Sequence, residues 1–392
     1  MQQNCYEMES PFIYNKPVTG KNNIGRKQDA QILANLLAQG ECISIYEPPR
    51  TGKTSLIQQT FFNMKVAGKQ FIPVSVSLLN VRTVQGLLLK LGDAVIKGAG
   101  RSPEDYPAIV GRHLEGSHFI FDEVAFSDEG RILSLNWDTD DDDIRSIFML
   151  PYRIAAERGL KIVVVIDEFQ NVMQTEDGDK ICGILHGMLD SLGPEDRIRC
   201  SYIFTGSQVN AMKDIFETRR LFYHKVEHLK LSELDSKEII DHIVRGFLSG
   251  GKVLDRNLML GICKLFRGNI WYIQHFSSIC DSLSKGYMME PVLTEALESL
   301  IAIHEPEFVA TMNGLTTYQV SLLRAILDGY TKFSSSDVIR KYGLNSSANV
   351  RRLKDALCKK EIVTFDENDD PVILDPLFEY WVRRFFFEMK ES

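Results

Sequence analysis

The chain lacks paired cysteine motifs, metalloprotease spacing and any apolar run long enough to cross a bilayer. Its seven cysteines (Cys5, Cys42, Cys182, Cys200, Cys263, Cys280, Cys358) are odd in number and scattered, with no CxxC among them, so they read as reduced thiols of a cytoplasmic protein. The longest apolar run, Ile162 to Ile166, falls far short of the roughly 18 residues of a membrane span. The start, MQQNCYEMESPF, has no basic stretch followed by an apolar core, so no signal peptide and no membrane partner are expected. None of the eight histidines forms HExxH or a Cys/His ligand set, which leaves no case for zinc.

Excess positive charge is also missing. Forty-five Lys plus Arg stand against fifty-three Asp plus Glu, a formal net charge of −8; this argues against indiscriminate attraction to a phosphate backbone and leaves only a local basic face open. There is no internal repeat and no low-complexity tract. The one dense acidic run, Asp138 to Asp143 (DTDDDD), lacks the glycine and terminal glutamate of an EF-hand and reads as a solvated loop or a helix start.

What is present is a globular composition, 44% apolar and 25% charged over 392 residues, enough for two or three domains. The first 230 residues or so alternate short β-rich runs with helical patterns, the signature of a parallel sheet covered by helices. The strongest strands are Cys42 to Tyr46, Phe71 to Ser77, Ile162 to Asp167 and Cys200 to Thr205, with Val226 to Leu231 a weaker fifth. From Ser232 the apolar spacing becomes helical (236–248, 256–266, 271–283, 292–303) with no strand expected between. From about Gly314, three short helices (318–327, 336–342, 347–360) precede a hairpin, 362–365 and 372–374, which suggests a winged helix-turn-helix. The expected domains are therefore 1–231, 232–310 and 311–392.

The run Glu47-Pro48-Pro49-Arg50-Thr51-Gly52-Lys53-Thr54-Ser55 follows a strand and opens a helix. A phosphate-binding loop needs this placement, because free amides and the helix dipole together hold an anion. Lys53 can then reach the β- and γ-phosphates of a nucleotide, and the Thr54 hydroxyl can ligate Mg2+. Glu47 stands where the pattern GxxxxGK[ST] has glycine, which restricts the turn and puts a carboxylate near the phosphates. A second apolar strand ends in Ile166-Asp167-Glu168-Phe169-Gln170. There Asp167 would hold Mg2+ through water and Glu168 would polarise the attacking water as general base. His118 to Glu123 also ends an apolar run in Asp-Glu, but without the β-branched series of a central strand. At the end of the third strand, Thr205 or Ser207 could bond the γ-phosphate or the water, or form a plain polar turn. The enzyme reading requires the amides around Lys53 and the acids Asp167 and Glu168 to meet across strand ends.

On Ile24-Gly25-Arg26-Lys27, Pro48 to Ser55, Ile166 to Gln170 and Phe204-Thr205-Gly206-Ser207, the chain resembles the AAA-like ATPases of the archaeal ATPase family, a branch near the STAND signalling NTPases. The resemblance covers about residues 10 to 280, and the C-terminal winged helix more loosely. It implies an α/β P-loop NTPase fold, a parallel five-stranded sheet with the phosphate-loop strand beside the sensor strand, then a helical lid and a winged-helix domain. It also implies ATP and Mg2+ as ligands, with Pro49, Arg50, Thr51, Gly52 and Ser55 completing the phosphate loop and Gly25 and Arg26 lining the adenine side. Where relatives carry Gly-Asn-Pro, this chain has Gly268-Asn269-Ile270. Arg267 before it is either a lid arginine sensing the γ-phosphate or an ordinary cation at a helix C-terminus. Arg219 and Arg220 could act in trans on a neighbour's nucleotide, which leaves an oligomer open.

From Gly314 onward twelve cations, Lys390 included, balance twelve acids. The helix 347–360 concentrates Arg351, Arg352, Lys354, Lys359 and Lys360 against Asp355 alone, suited to DNA, with Asn349 or Arg352 near base edges. The acidic turn Asp366 to Asp370 would repel phosphate where a wing should touch it, so a protein partner is the equal expectation. Tyr380, Trp381, Phe385, Phe386 and Phe387 read as core packing against the ATPase body. The functional expectation is an ATPase, slow because of Glu47, whose nucleotide state is transmitted by the winged helix. The alternatives are a nucleotide-regulated DNA-binding protein of origin-recognition type and a catalytically weak nucleotide-binding scaffold.

Overall fold

The computed structural model describes residues 10–389; Cys5 and Lys390 lie outside them. The described chain forms two compact units. One contains Arg26–Pro49 and Leu56–Ser232, and the other the chain up to Gly25, Arg50–Ser55 and the chain from Glu233 onward.

The first unit is built on a five-stranded, fully parallel sheet. Helix α1 (Lys27–Gln39) leads to β1 (Cys42–Tyr46), α2 (Lys53–Val66) and β2 (Phe71–Ser77). Next come α3 (Val84–Ala99), α4 (Tyr106–His113), β3 (Phe119–Phe121), α5 (Glu123–Glu129), β4 (Leu133–Leu135) and α6 (Asp141–Arg158). The unit is completed by β5 (Lys161–Asp167), α7 (Gly178–Ser191), α8 (Pro194–Arg199), β6 (Cys200–Gly206), α9 (Val209–Lys213) and β7 (Val226–His228). The strand order is β2-β5-β6-β1-β7. Every residue of β1 and β6 is buried, as a strand covered by helices on both faces requires. Strand β2 alternates in burial and carries Pro73 opposite Val163; a residue without an N–H is tolerated there because β2 is an edge.

The segment with the second Asp-Glu, His118 to Glu123, does not join this sheet. Strand β3 pairs antiparallel with β4 in a separate ribbon, and Asp122 caps α5 by accepting from the Ala125 N–H. The acidic run is a helix start: Asp140 and Asp143 form a capping box at the head of α6. The buried Asp143 carboxylate also accepts from the backbone and the ring of His118, and that bond raises the His118 pKa.

The second unit holds α10 (Ser236–Ser249), β8 (Val253–Leu254), α11 (Arg256–Leu265), α12 (Ile270–Leu283), β9 (Tyr287–Met288) and α13 (Glu290–Asn313). After them come α14 (Thr317–Leu327), α15 (Ser336–Tyr342), α16 (Ser347–Lys359), β10 (Val363–Phe365), β11 (Pro371–Ile373) and α17 (Pro376–Trp381). Several features depart from the sequence reading. Strands β8 and β9 form a two-residue parallel pair, too short to leave a pattern. Helix α13 continues past 303 and through Pro306, because its buried stripe of Leu300, Ile301, His304, Phe308 and Met312 persists and outweighs the roughly 3 kcal/mol that an internal proline costs. The helical segment and the winged helix, expected as separate domains, share one apolar core. Of the terminal aromatics, expected to pack on the ATPase body, Trp381 packs on Phe308 of α13, while Phe385 and Phe386 are exposed.

The six described cysteines are unbridged. Burial pushes Cys42 up to about 11 and Cys182 and Cys280 to about 12, so these thiols are poor nucleophiles. Burial also lowers His113, His275 and His304, with His275 pushed down to about 4 by desolvation, by His304 and by Arg50. Between that value and the ordinary value near 6.5 the unfolded chain binds the proton more tightly, so stability falls as pH drops through this window. The expected loss from His275 alone is about 2 kcal/mol between pH 6.5 and 5, read from denaturant midpoints. It should be absent from His275→Phe, which keeps the ring stacked on Tyr14.

Candidate functional site

Strand β5 delivers two carboxylates by a local backbone device. The buried run Ile162 to Ile166 ends at Asp167, and Glu168 then takes a left-handed conformation (φ 56°, ψ 44°), an uncommon state for a residue with a Cβ that concentrates at functional sites. The turn is held from below: Phe169 is buried against Phe204, Phe216 and Phe222. Asn171 adds a side-chain bond to the Leu78 carbonyl.

The neighbouring strand end supplies a hydroxyl for each acid. Thr205 Oγ1 donates to Asp167 Oδ1 at 2.5 Å, and Ser207 Oγ donates to Glu168 Oε2 at 2.7 Å. Gln170 Nε2 donates to the same Glu168 oxygen. Because β5 and β6 are parallel and in register, with Ile166 opposite Phe204, alternate residues past their ends fall side by side. The structure thus gives Thr205 and Ser207 carboxylate partners, where the sequence suggested contacts to phosphate or water. Gln170 belongs to the strand motif but has no role in the sequence reading; its position two residues after Glu168 is the signal that could have found it. Gly206 lies between the two hydroxyls, and a Cβ there would meet Gln170 Oε1 at 2.6 Å.

The loop after β1 opens helix α2 at Lys53, which is buried. Among the described residues its left-handed positions are Arg50 (φ 66°) and Gly52 (φ 95°), not Glu47. The glycine missing at 47 therefore imposes no backbone restriction, a correction to the expectation that its loss tightens the turn. The Glu47 charge faces Arg26 and acts to raise that guanidinium's pKa, although burial lowers it on balance. A Cβ at Gly52 would meet no atom within 4 Å, so the loop keeps an open side above the backbone, as an anion cradle needs. Ser55 Oγ accepts from the Val18 N–H at 3.2 Å.

Other expected site residues are held elsewhere. Arg26 is left-handed at the N-cap of α1, and its guanidinium bonds Asp29 at 3.3 Å and the Ser232 carbonyl at 2.7 Å. It ties the first helix to the last residue of its unit. Gly25, at φ 63°, is pressed close to Leu234. Arg267 donates to the Ile373 carbonyl at 2.6 Å and faces Glu379 at 3.6 Å, so this guanidinium braces the winged helix. Arg219 pairs with Asp179, and Arg220 lies over the Tyr223 ring. In the winged helix, Lys354 of α16 is clamped by both oxygens of Asp369 at 2.6 Å and lies 4.0 Å from the Phe365 ring centroid. The acidic turn between β10 and β11 is self-capping: Asp366 accepts from the N–H groups of Asn368 and Asp370.

Sheet order, loop placement and paired acids define a class, the P-loop NTPase fold with an attached helical segment and a C-terminal winged helix. Residues 306–384 match the family described as "Probable winged helix domain". Among solved structures, the chain is similar to the Walker-type ATPase PABY2304 of Pyrococcus abyssi, at 17% identity and TM-score 0.67, over 95% of this chain and 99% of that one. It is also similar to the Aeropyrum pernix ORC2 protein in its ADPNP-ADP complexes, at 13% identity and TM-score 0.55, over 94% of each chain. These are likenesses of fold. No curated protein matches the chain in sequence.

Proposed function

We propose that the protein binds ATP and hydrolyses it with Mg2+, and that its winged helix passes the nucleotide state to a partner protein. The observation that carries this reading is the pair of cross-strand bonds, Thr205 to Asp167 and Ser207 to Glu168, at the carboxyl end of a sheet in which β6 separates β5 from the strand that feeds the loop. Ligands of open parallel sheets bind at this edge. Lys53 and the amides at the head of α2 would take the β- and γ-phosphates. The Thr54 hydroxyl and the Asp167 oxygen not bonded to Thr205 would hold Mg2+, a hard cation that prefers such oxygens. When bound, the ion supplies charge neutralisation at the phosphate oxygens.

Glu168 takes the role of general base, orienting the attacking water and accepting its proton. Ser207 and Gln170 act through Glu168 as positioning residues. Arg26 and Arg267 have structural partners and are left out of the phosphate contacts. The Aeropyrum pernix ORC2 protein, similar in fold, forms ADPNP-ADP complexes, in keeping with an adenine nucleotide here. A protein partner is preferred over DNA for the winged helix because the wing carboxylate Asp369 already neutralises Lys354 in the middle of α16.

Lys53→Ala tests the loop assignment. Loss of a charge-assisted contact to phosphate should weaken MgATP binding by about ten- to a hundredfold in a calorimetric titration. Binding equal to that of the parent would refute it.

A further inference from the structure

The phosphate loop contains a cation whose side chain is held by an aromatic face. Arg50 adopts φ 66°, and for a residue with a Cβ the left-handed state costs about 1–2 kcal/mol. Its guanidinium carbon lies 4.1 Å from the centroid of the Trp271 ring. Among the described residues no carboxylate or hydrogen-bond acceptor holds this guanidinium, so the indole is what fixes it.

Trp271 is itself well anchored. It is the second residue of α12, where the Asn269 side chain caps the helix by accepting from the N–H groups of Trp271 and Tyr272. Its ring meets Tyr14 at 5.9 Å, His275 at 5.1 Å and His304 at 5.6 Å, each edge to face. His275 is stacked on Tyr14 at 4.2 Å. His275 Nδ1 and His304 Nε2 are buried without a partner, and the nearby Asp375 carboxylate, which also acts on His304, accepts from the Tyr272 hydroxyl at 2.7 Å. An indole face is the strongest aromatic site for a guanidinium.

We propose that Arg50 is a positioning residue: its stack on Trp271 holds the left-handed turn that leads into Gly52 and Lys53, so helix α12 sets how well ordered the phosphate loop is before nucleotide arrives. The effect on nucleotide affinity rests on the phosphate-loop reading above; the effect on loop order does not. Because Arg50 is exposed and Trp271 half-buried, the contact should restrain the loop about two- to fivefold.

The test uses the full chain without nucleotide, reading amide hydrogen exchange over residues 50–54 in the parent, Trp271→Leu, Trp271→Phe and Arg50→Met. Exchange in the loop should rise about two- to fivefold in Trp271→Leu and in Arg50→Met, and less in Trp271→Phe, while α10 and α11 keep the parent's protection. Arg50→Met leaves the indole in its pocket and decides the matter even where Trp271→Leu does not fold. Unchanged loop exchange in Arg50→Met would overturn the proposal, as would a rise spread evenly over the helical unit. MgATP titration of the same four proteins should rank affinity in the same order. A parent that binds no MgATP would remove the nucleotide reading alone, since the exchange comparison stands without ligand.

Discussion

Glu168→Gln should bind MgATP as the parent does and release phosphate about a hundred- to ten-thousandfold more slowly, the usual worth of a positioned general base. The substitution preserves shape and an acceptor oxygen for the Ser207 hydroxyl, which lies 2.7 Å from Oε2. What it removes is the ability to take a proton. The carboxylate is held from two sides, by Ser207 and by Gln170, on a backbone already turned into the left-handed region. Such over-determination keeps a side chain in one orientation at the cost of local strain. The measurement is single-turnover phosphate release beside equilibrium binding of a fluorescent ATP analogue. Release at the parent's rate with intact binding would place the base on another residue.

Gly40→Ala should lower the stability of the sheet unit by about 2–5 kcal/mol, combining a left-handed strain with overpacking. Gly40 ends α1 at φ 86° and donates to the Leu36 and Leu37 carbonyls. A Cβ there would stand 2.5 Å from the Arg197 carbonyl oxygen and 2.9 Å from the Ile198 Cα. Both are backbone atoms of α8, so no side-chain rotation relieves the clash. Gly159→Ala serves as the comparison, because it shares the left-handed state (φ 62°) but meets nothing within 4 Å. It should cost only about 1–2 kcal/mol. Equal denaturant midpoints for the two variants would show that α1 and α8 separate without penalty.

Much of this architecture can be read from residue order because its signals are local. Strands β1 and β2 coincide with the expected runs, and β5 and β6 differ from theirs by a residue at one end, since buried parallel strands are continuous β-branched and aromatic runs. The winged-helix elements fall within a residue or two for a similar reason: Thr316 and Ser346 are recognisable N-caps. The Asp167-Glu168 pair stands out through the β-branched strand before it, and the rival pair at Asp122-Glu123, whose short aromatic run lacks that series, lies off the main sheet.

The misses share one cause, which is that a side chain's partner is chosen by the whole fold. For Arg26, which the resemblance puts on the adenine side, and Arg267, which the sequence leaves open between a lid arginine and an ordinary helix-end cation, the guanidinium groups go to Ser232 and to Ile373, more than a hundred positions away. Glu47 looks like a defect in the phosphate loop; the backbone instead turns at Arg50 and Gly52, a choice no pattern of residue types announces. Periodicity and turn chemistry, acting over a few residues, were sufficient for the main-sheet strands β1, β2, β5 and β6 and for the winged-helix elements. Which hydroxyl holds which carboxylate, which arginine braces and which stacks on an indole were settled only when distant segments packed, because hydrogen bonds and ring contacts depend on separations of a few ångströms that residue spacing alone does not specify.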